Sequence, residues 1–297
     1  MNHLGGSPQT GFKMERRLRE LDPDLHKRFT DAVFALQNYL SNYKVIFPEF
    51  TDHTEFHSLT VLDFCNQILG DQVERMNAHE MYALLMSCYL HDSGMGITMD
   101  MYREFSSQMD FGDYFSSHAR DDYPAIIRDH HHEFSGLFIR KFAPLFDIPS
   151  EADLQAVVQV SRGHRRTDLW DETEYPAALA MPDGSTVCLP YLAALIRLAD
   201  EIDVAQDRNL LLVFDTDCLV HEKDIMIYNV ILAVKKLEIT DEAFTVLVDT
   251  SDQNILEGVV KVTKKMQQVL DYCRDVVSHR TPYEITQMYV RLERVKK

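Results

Sequence analysis

The chain has 297 residues, 45% of them hydrophobic, and carries 30 Lys and Arg against 47 Asp and Glu, a formal net charge of −17. That length fills one sizeable core plus a smaller appended unit, and the negative charge disfavours long-range attraction to a polynucleotide backbone. No apolar run approaches the roughly 18 residues that span a bilayer, and the N-terminus lacks the charged-then-apolar pattern of a leader, so a cytoplasmic protein without membrane contact is expected.

Residues 1–12, MNHLGGSPQTGF, are rich in Gly, Ser and Pro without periodicity, which predicts a disordered arm and sets His3 aside. From Glu15 to Tyr43 the pattern is helical and amphipathic. A further helix is expected from Asp52, where Asp52 and Glu55 have capping-box spacing. Val61, Leu62, Cys65, Ile68 and Leu69 form one face of it, and Met81, Leu84, Leu85 and Cys88 repeat that spacing in a helix closing at His91, Asp92 and Gly94. Gly94 and Gly96 break the periodicity, and the Met- and aromatic-rich stretch from Met95 to Phe115 is expected as a loop or short-helix cover.

Helical patterns return over Tyr123–Phe142, Glu151–Arg162 and Pro190–Ala205. Between the last two, Ala177–Leu189 holds Pro182-Asp183-Gly184-Ser185 between short apolar runs, a hairpin signal. After Leu210 the chain alternates apolar and polar residues over Val230–Ile239 and Ala243–Thr250 around a Thr240-Asp241-Glu242 turn. It turns helical over Asn254–Ser278 and alternates again over Tyr283–Val295. The expected fold is mainly α: a helical bundle over residues 13–210 with a small β-hairpin insertion, then a C-terminal α+β subdomain over 211–297. Cys65, Cys88, Cys188, Cys218 and Cys273 are odd in number and form no C-x-x-C pair, so buried thiols are expected rather than disulfides or a thiolate metal site.

Histidines and aspartates fall at telling places on these helices. His57 opens one; His91 and Asp92 close the next; His131 lies mid-helix on the face of Ser135, Phe138 and Phe142. His164 follows Val157 and Val160 on an inward face, and Asp200 ends the apolar run Leu192-Ala193-Ala194-Leu195-Ile196-Arg197-Leu198-Ala199. A lone carboxylate in so apolar a helix needs a positive partner, and a metal ion supplies one. Imidazole and carboxylate donors without thiolates suit one or two divalent ions of Mn, Fe, Co, Ni or Zn, with Mg also allowed.

The stretches DHTEFHSLTVL (52–62), YLHDSGM (89–95), IRDHHHEFSGLFI (127–139), GHRRTD (163–168) and LAALIRLADEIDVAQDR (192–208) together resemble the HD superfamily of metal-dependent phosphohydrolases. The combination is similar to that of bacterial HD proteins found beside chaperone-like ATPases, which implies an ATPase partner protein or homo-oligomer. HDSGM stands in place of HDxGK, and no GYP follows, so the cyclic-dinucleotide phosphodiesterases are not the matching subgroup.

The resemblance implies His57, His91, Asp92 and Asp200 as ligands of a first ion. Asp92 bridges to a second ion that His131 and His164 also hold. The run His130-His131-His132 leaves the choice between His131 and His132 open, with Ser135 four residues on favouring His131; His53, one turn before His57, is the same kind of alternative. The implied reaction is hydrolysis of a phosphomonoester or phosphodiester in a small nucleotide-like molecule by a metal-activated water, dependent on Asp92. Arg128 and Arg208 would neutralise phosphoryl charge, or else pair with neighbouring acids, and His132 or His53 would protonate the leaving oxygen. Asp203 would anchor Arg208 or cap its helix. The other classes open are an HD-type di-iron oxygenase and a metal-holding regulatory module without turnover. His26, His79, His118, His221 and His279 stand outside the matching stretches and are expected on the surface.

Overall fold

The computed structural model describes residues 11–47, 55–204 and 222–295. The expected boundary near residue 210, nearly all of the N-terminal arm, the Asp52 cap and Cys218 lie outside these residues.

The stretch predicted as one helix from Glu15 is divided. Helix α1 spans Lys13–Leu21 and α2 spans Pro23–Leu36, followed by a 3-10 turn and the short α3, Tyr43–Ile46. The break has a local cause: the Pro23 ring excludes helical backbone at the residue before it, and Asp22 is extended at φ −148°, ψ 94°. Its carboxylate then caps α2, accepting from the N–H groups of Asp24 and Leu25 at 3.0 and 2.9 Å.

Helix α4, Glu55–Leu69, and α5, Ala78–Leu90, form the centre of the bundle. Asn77 and Glu80 make a reciprocal capping box that starts α5, and every residue from Glu80 to Leu90 is buried, so α5 is the central helix. Around it pack α1, α2, α4, α8 (Glu151–Arg162) and α9 (Leu189–Glu201). The segment after α5 forms α6, Met99–Ser106, and leads to α7, Tyr123–Phe142, whose bounds and those of α8 are the ones periodicity predicts.

The hairpin is present as β1, Leu179–Ala180, antiparallel to β2, Thr186–Val187, with Gly184 at φ 87° in the turn. Towards the C-terminus come α10, Glu222–Ala233, β3, Val234–Ile239, β4, Ala243–Val248, α11, Gln253–Arg280, and β5, Tyr289–Arg294. The sheet order is β3-β4-β5, with β3 antiparallel and β5 parallel to β4, and Leu237 opposite Val246. Helix α11 packs against α9, which brings this part of the chain beside the helices carrying the histidines.

The three expected C-terminal strands are shorter than predicted, β4 ending at Val248 rather than Thr250. Residues 230–233 belong to α10, because Met226, Ile227, Val230 and Ile231 repeat at helical spacing and face one cavity shared with α11. Tyr283 lies outside β5: it stacks on Tyr191 at 4.2 Å between ring centroids, and its hydroxyl donates to Glu80 at 2.8 Å. The fold is thus mainly α, with a small hairpin and C-terminal strands. Cys65, Cys88, Cys188 and Cys273 are buried free thiols, and no helix among the described residues is long and apolar enough to cross a membrane.

Candidate metal centre

The structure gathers six dispersed residues. His57 comes from α4, His91 and Asp92 from the end of α5, His131 from the middle of α7, His164 from the turn after α8, and Asp200 from the last turn of α9. All but Asp200 are buried, and the Asp200 side chain is 14% exposed.

Two glycines make the approach of these elements feasible. A Cβ on Gly94 would lie 2.3 Å from the His131 carbonyl oxygen and 2.7 Å from the Ser135 nitrogen, so only glycine lets the turn after Asp92 press against α7. Ser135 ties the same contact: its hydroxyl donates to the His91 carbonyl at 2.5 Å and accepts from the Gly94 N–H at 2.8 Å. A Cβ on Gly163 would lie 2.4 Å from that of Ala193, so glycine also lets the His164 turn meet α9.

The donors form two clusters that share Asp92: His57, His91, Asp92 and Asp200 in one, and Asp92, His131 and His164 in the other. Asp92 Oδ2 lies 3.5 Å from Nε2 of both His57 and His91, while Oδ1 lies 3.4 Å from Nε2 of both His131 and His164. Asp200 Oδ1 completes the first cluster at 3.4 Å from His57 and 3.9 Å from His91.

The hydrogen bonds fix the tautomers. His91, His131 and His164 direct Nδ1 at the carbonyl oxygens of Cys88, Arg128 and Ser161 at 3.1, 2.7 and 2.5 Å, and His57 directs its Nδ1 at Asp203 Oδ2 at 2.6 Å. A carbonyl or ionised carboxylate has no proton to give, so each Nδ1 carries the hydrogen and each Nε2 is a bare lone pair. Yet the Nε2 atoms of His57 and His91 face each other at 3.1 Å, and those of His131 and His164 at 2.9 Å. Facing lone pairs at that separation repel unless a cation lies among them. Metal–imidazole bonds of about 2.1 Å bring donors on one ion to about this spacing. The residues therefore fit divalent ions, and the outer hydrogen bonds are those that orient metal-bound imidazoles.

Electrostatics agree. Burial lowers the pKa of His91 to about 4 and that of His131 to about 3, against the pull of Asp92, so both rings are neutral and able to ligate. Burial pushes the Asp200 carboxyl upward, but the group is held well below the usual carboxylate range, with the Arg165 guanidinium as the fixed positive charge beside it.

His132, next to His131 on α7, belongs to neither cluster. It is buried, and burial with His131, His164 and Arg162 lowers its pKa to about 2. Arg128 is exposed and lines the cleft beside His131. His53 and Arg208 lie outside the described residues, as does His221. His118 and His279 are exposed as expected, but His26 and His79 are largely buried, bonded to Glu15 at 3.2 Å and to Asp153 at 2.6 Å.

Two further residues belong to the centre, Arg165 and Asp203, the latter expected only as an anchor of Arg208 or a helix cap. Asp203 holds His57, and Arg165 places Nε 4.0 Å from Asp200 Oδ2. Arg165 stands next to His164 in GHRRTD, a signal that could have found it; nothing local marks Asp203 as the partner of a residue so far away.

Two cavities open on the centre. One, of about 650 Å³, reaches His57, Asp200 and Asp203 and has walls of Met226, Ile227, Val230, Ile231 and Val262. The other, of about 800 Å³, reaches His131 and His164 and is lined by Arg128, Arg165, Arg166, Arg197 and Lys265, with Asp129 and Glu201 as the acids. In a chain of charge −17 this basic lining is a local reversal of sign.

A helical bundle holding an ordered His, His-Asp, His, His, Asp set at its centre is an HD-type domain. The chain belongs to the HD-CE family, whose model matches residues 47–283. No curated protein and no solved structure matches it.

Proposed function

We propose that the protein is a metal-dependent phosphohydrolase that cleaves a phosphomonoester or phosphodiester bond in a small nucleotide-like molecule. The observation that carries this reading is the division of Asp92, with one oxygen towards each histidine pair, next to a cleft that reaches His131 and His164 and is lined by arginines. In this reading His57, His91, Asp92 and Asp200 hold one divalent ion, and Asp92, His131 and His164 a second, drawn from Mn, Fe, Co, Ni or Zn, with Mg allowed.

Bound divalent ions lower the pKa of a water from about 15.7 towards about 7 and offset charge on phosphoryl oxygens. The chain's own residues do the rest. The carbonyls of Cys88, Arg128 and Ser161 and the Asp203 carboxylate keep the four imidazoles in the ligating tautomer. Arg165, beside Asp200 and lining both cavities, is placed to hold the phosphoryl oxygens of a substrate, with Arg128 further along the cleft. Asp200, held ionised by its surroundings, accepts a cation without first losing a proton.

The test is elemental analysis of protein purified without added metal, together with phosphate release from a panel of nucleotides and Asp92→Ala as the blank. Bound transition metal and release that vanishes in the variant are expected. Equal release in the variant excludes the mechanism, and product formation that requires oxygen without phosphate release would place the protein with the di-iron oxygenases instead.

A further inference from the structure

The basic cleft holds more cationic side chains than one phosphoryl group at the histidine clusters can use. Arg165 adjoins Asp200 and lines both cavities, so it serves the group at the centre. Arg166, the next residue, lines the basic cleft but not the cavity at His57 and Asp200; it is 70% exposed, and its guanidinium is 3.5 Å from Asp129 on α7. Tyr114 donates to the other oxygen of that carboxylate at 2.9 Å, so Asp129 is a fixed abutment for Arg166.

The turn bearing both arginines is also fixed. Arg197 on α9 donates through Nε to the Gly163 carbonyl at 2.7 Å and through Nη2 to the Thr167 carbonyl at 2.8 Å, bracketing residues 164–166 from each side. Two consecutive guanidiniums therefore issue from a clamped backbone into one cleft, whereas Lys265 of α11, on the same lining, is paired with Glu201 at 2.8 Å and also lines the other cavity. A guanidinium is a planar fork matched to phosphate oxygens, and holding it in place before binding removes part of the ordering cost. At about 800 Å³ the cleft is also far larger than one phosphoryl group requires.

We infer that Arg166 forms a second phosphate subsite, so that the substrate carries at least two phosphoryl groups, one at the histidine–aspartate centre and one at Arg166. This rests on the phosphohydrolase reading for the first group but makes its own claim about the second. The shared chemistry is a second phosphoryl group, whether in a diphosphate chain or on a separate carbon of the same molecule.

The experiment is calorimetric binding to the metal-bearing protein of inorganic phosphate, inorganic diphosphate and a nucleoside 3′,5′-bisphosphate, repeated with Arg166→Gln and Arg166→Lys. A two-phosphate probe is expected to bind about tenfold or more tightly than phosphate, with the gap shrinking to within about threefold in Arg166→Gln and largely restored in Arg166→Lys. Chelation of metal by diphosphate is common to all three proteins and drops out of the comparison. Preference for diphosphate alone or for the bisphosphate alone supports the subsite and tells the two arrangements apart. Equal affinity for all three probes in the wild-type protein, or a gap that Arg166→Gln leaves intact, overturns it. Because binding is read without turnover, an Arg166-dependent preference in a protein that hydrolyses no phosphate ester would sink the proposed reaction while leaving the subsite standing.

Discussion

The imidazole of His57 is held 2.6 Å from the carboxylate of Asp203, both side chains being buried, whereas His91, His131 and His164 are held by backbone carbonyls. A carbonyl acceptor cannot be removed by mutation, so Asp203 is the one orienting group of the four that substitution can reach. In Asp203→Asn the charge is lost and the amide can present either oxygen or NH2 to the ring, which no longer fixes the tautomer. Metal affinity is expected to fall about 10–100-fold, with activity recovering at saturating metal. Chelator-competition titration measures it, and wild-type affinity in the variant would mean that Asp203 plays no part in holding the ion.

The split of Asp92 between two histidine pairs makes the clusters separable. His131→Asn is expected to lower metal content by one ion per chain while the His57, His91 and Asp200 cluster keeps its own; Asp92→Asn is expected to weaken both. His132→Asn, by contrast, should leave metal content unchanged, since His132 belongs to neither cluster. Metal analysis after gel filtration decides this. Loss of metal in His132→Asn with retention in His131→Asn would reverse the assignment along α7.

Much of the helical scaffold could be read from apolar periodicity, and the membership of the two clusters is what the resemblance to HD proteins implies. Helices α7 and α8 carry strong apolar periodicity between clear breakers, and His131 and Asp200 sit on the inward faces of their helices. What stayed hidden is of two kinds. Short apolar runs such as residues 225–233 fit helix or strand equally well, and contact with α11 settles the matter. Pairings between distant elements leave no local trace: His57 with Asp203, and His79 with Asp153, are defined only once the bundle has assembled.

Gly94 is where packing and site meet. Adding a methyl group there brings it against the His131 carbonyl and the Ser135 nitrogen, which are backbone atoms of α7 that cannot swing aside. Gly94→Ala is expected to cost about 1–3 kcal/mol or more through overpacking, lowering Tm by about 2–4 °C for each kcal/mol. Metal should be lost as well, because His91 and Asp92 are displaced from His131. Differential scanning fluorimetry with metal analysis tests both, and a variant matching the wild type in each would contradict the close approach of the two elements.

The buried neutral histidines give the metal-free protein a defined response to acid. Burial lowers His91 to about 4 and His131 to about 3 from an ordinary value of 6.5, so between those values and 6.5 the unfolded chain binds more protons than the folded one. Stability therefore rises with pH across this window; the contribution is fully present above about 6.5 and is lost as pH falls towards the folded values. Urea midpoints of metal-stripped protein are expected to drop between pH 7 and pH 5, and His131→Asn, which removes one of these groups, is expected to flatten that drop. A midpoint that holds steady or rises on acidification in the wild-type protein would show that these rings are not buried in the neutral form, and the tautomer argument for a cation between them would go with it.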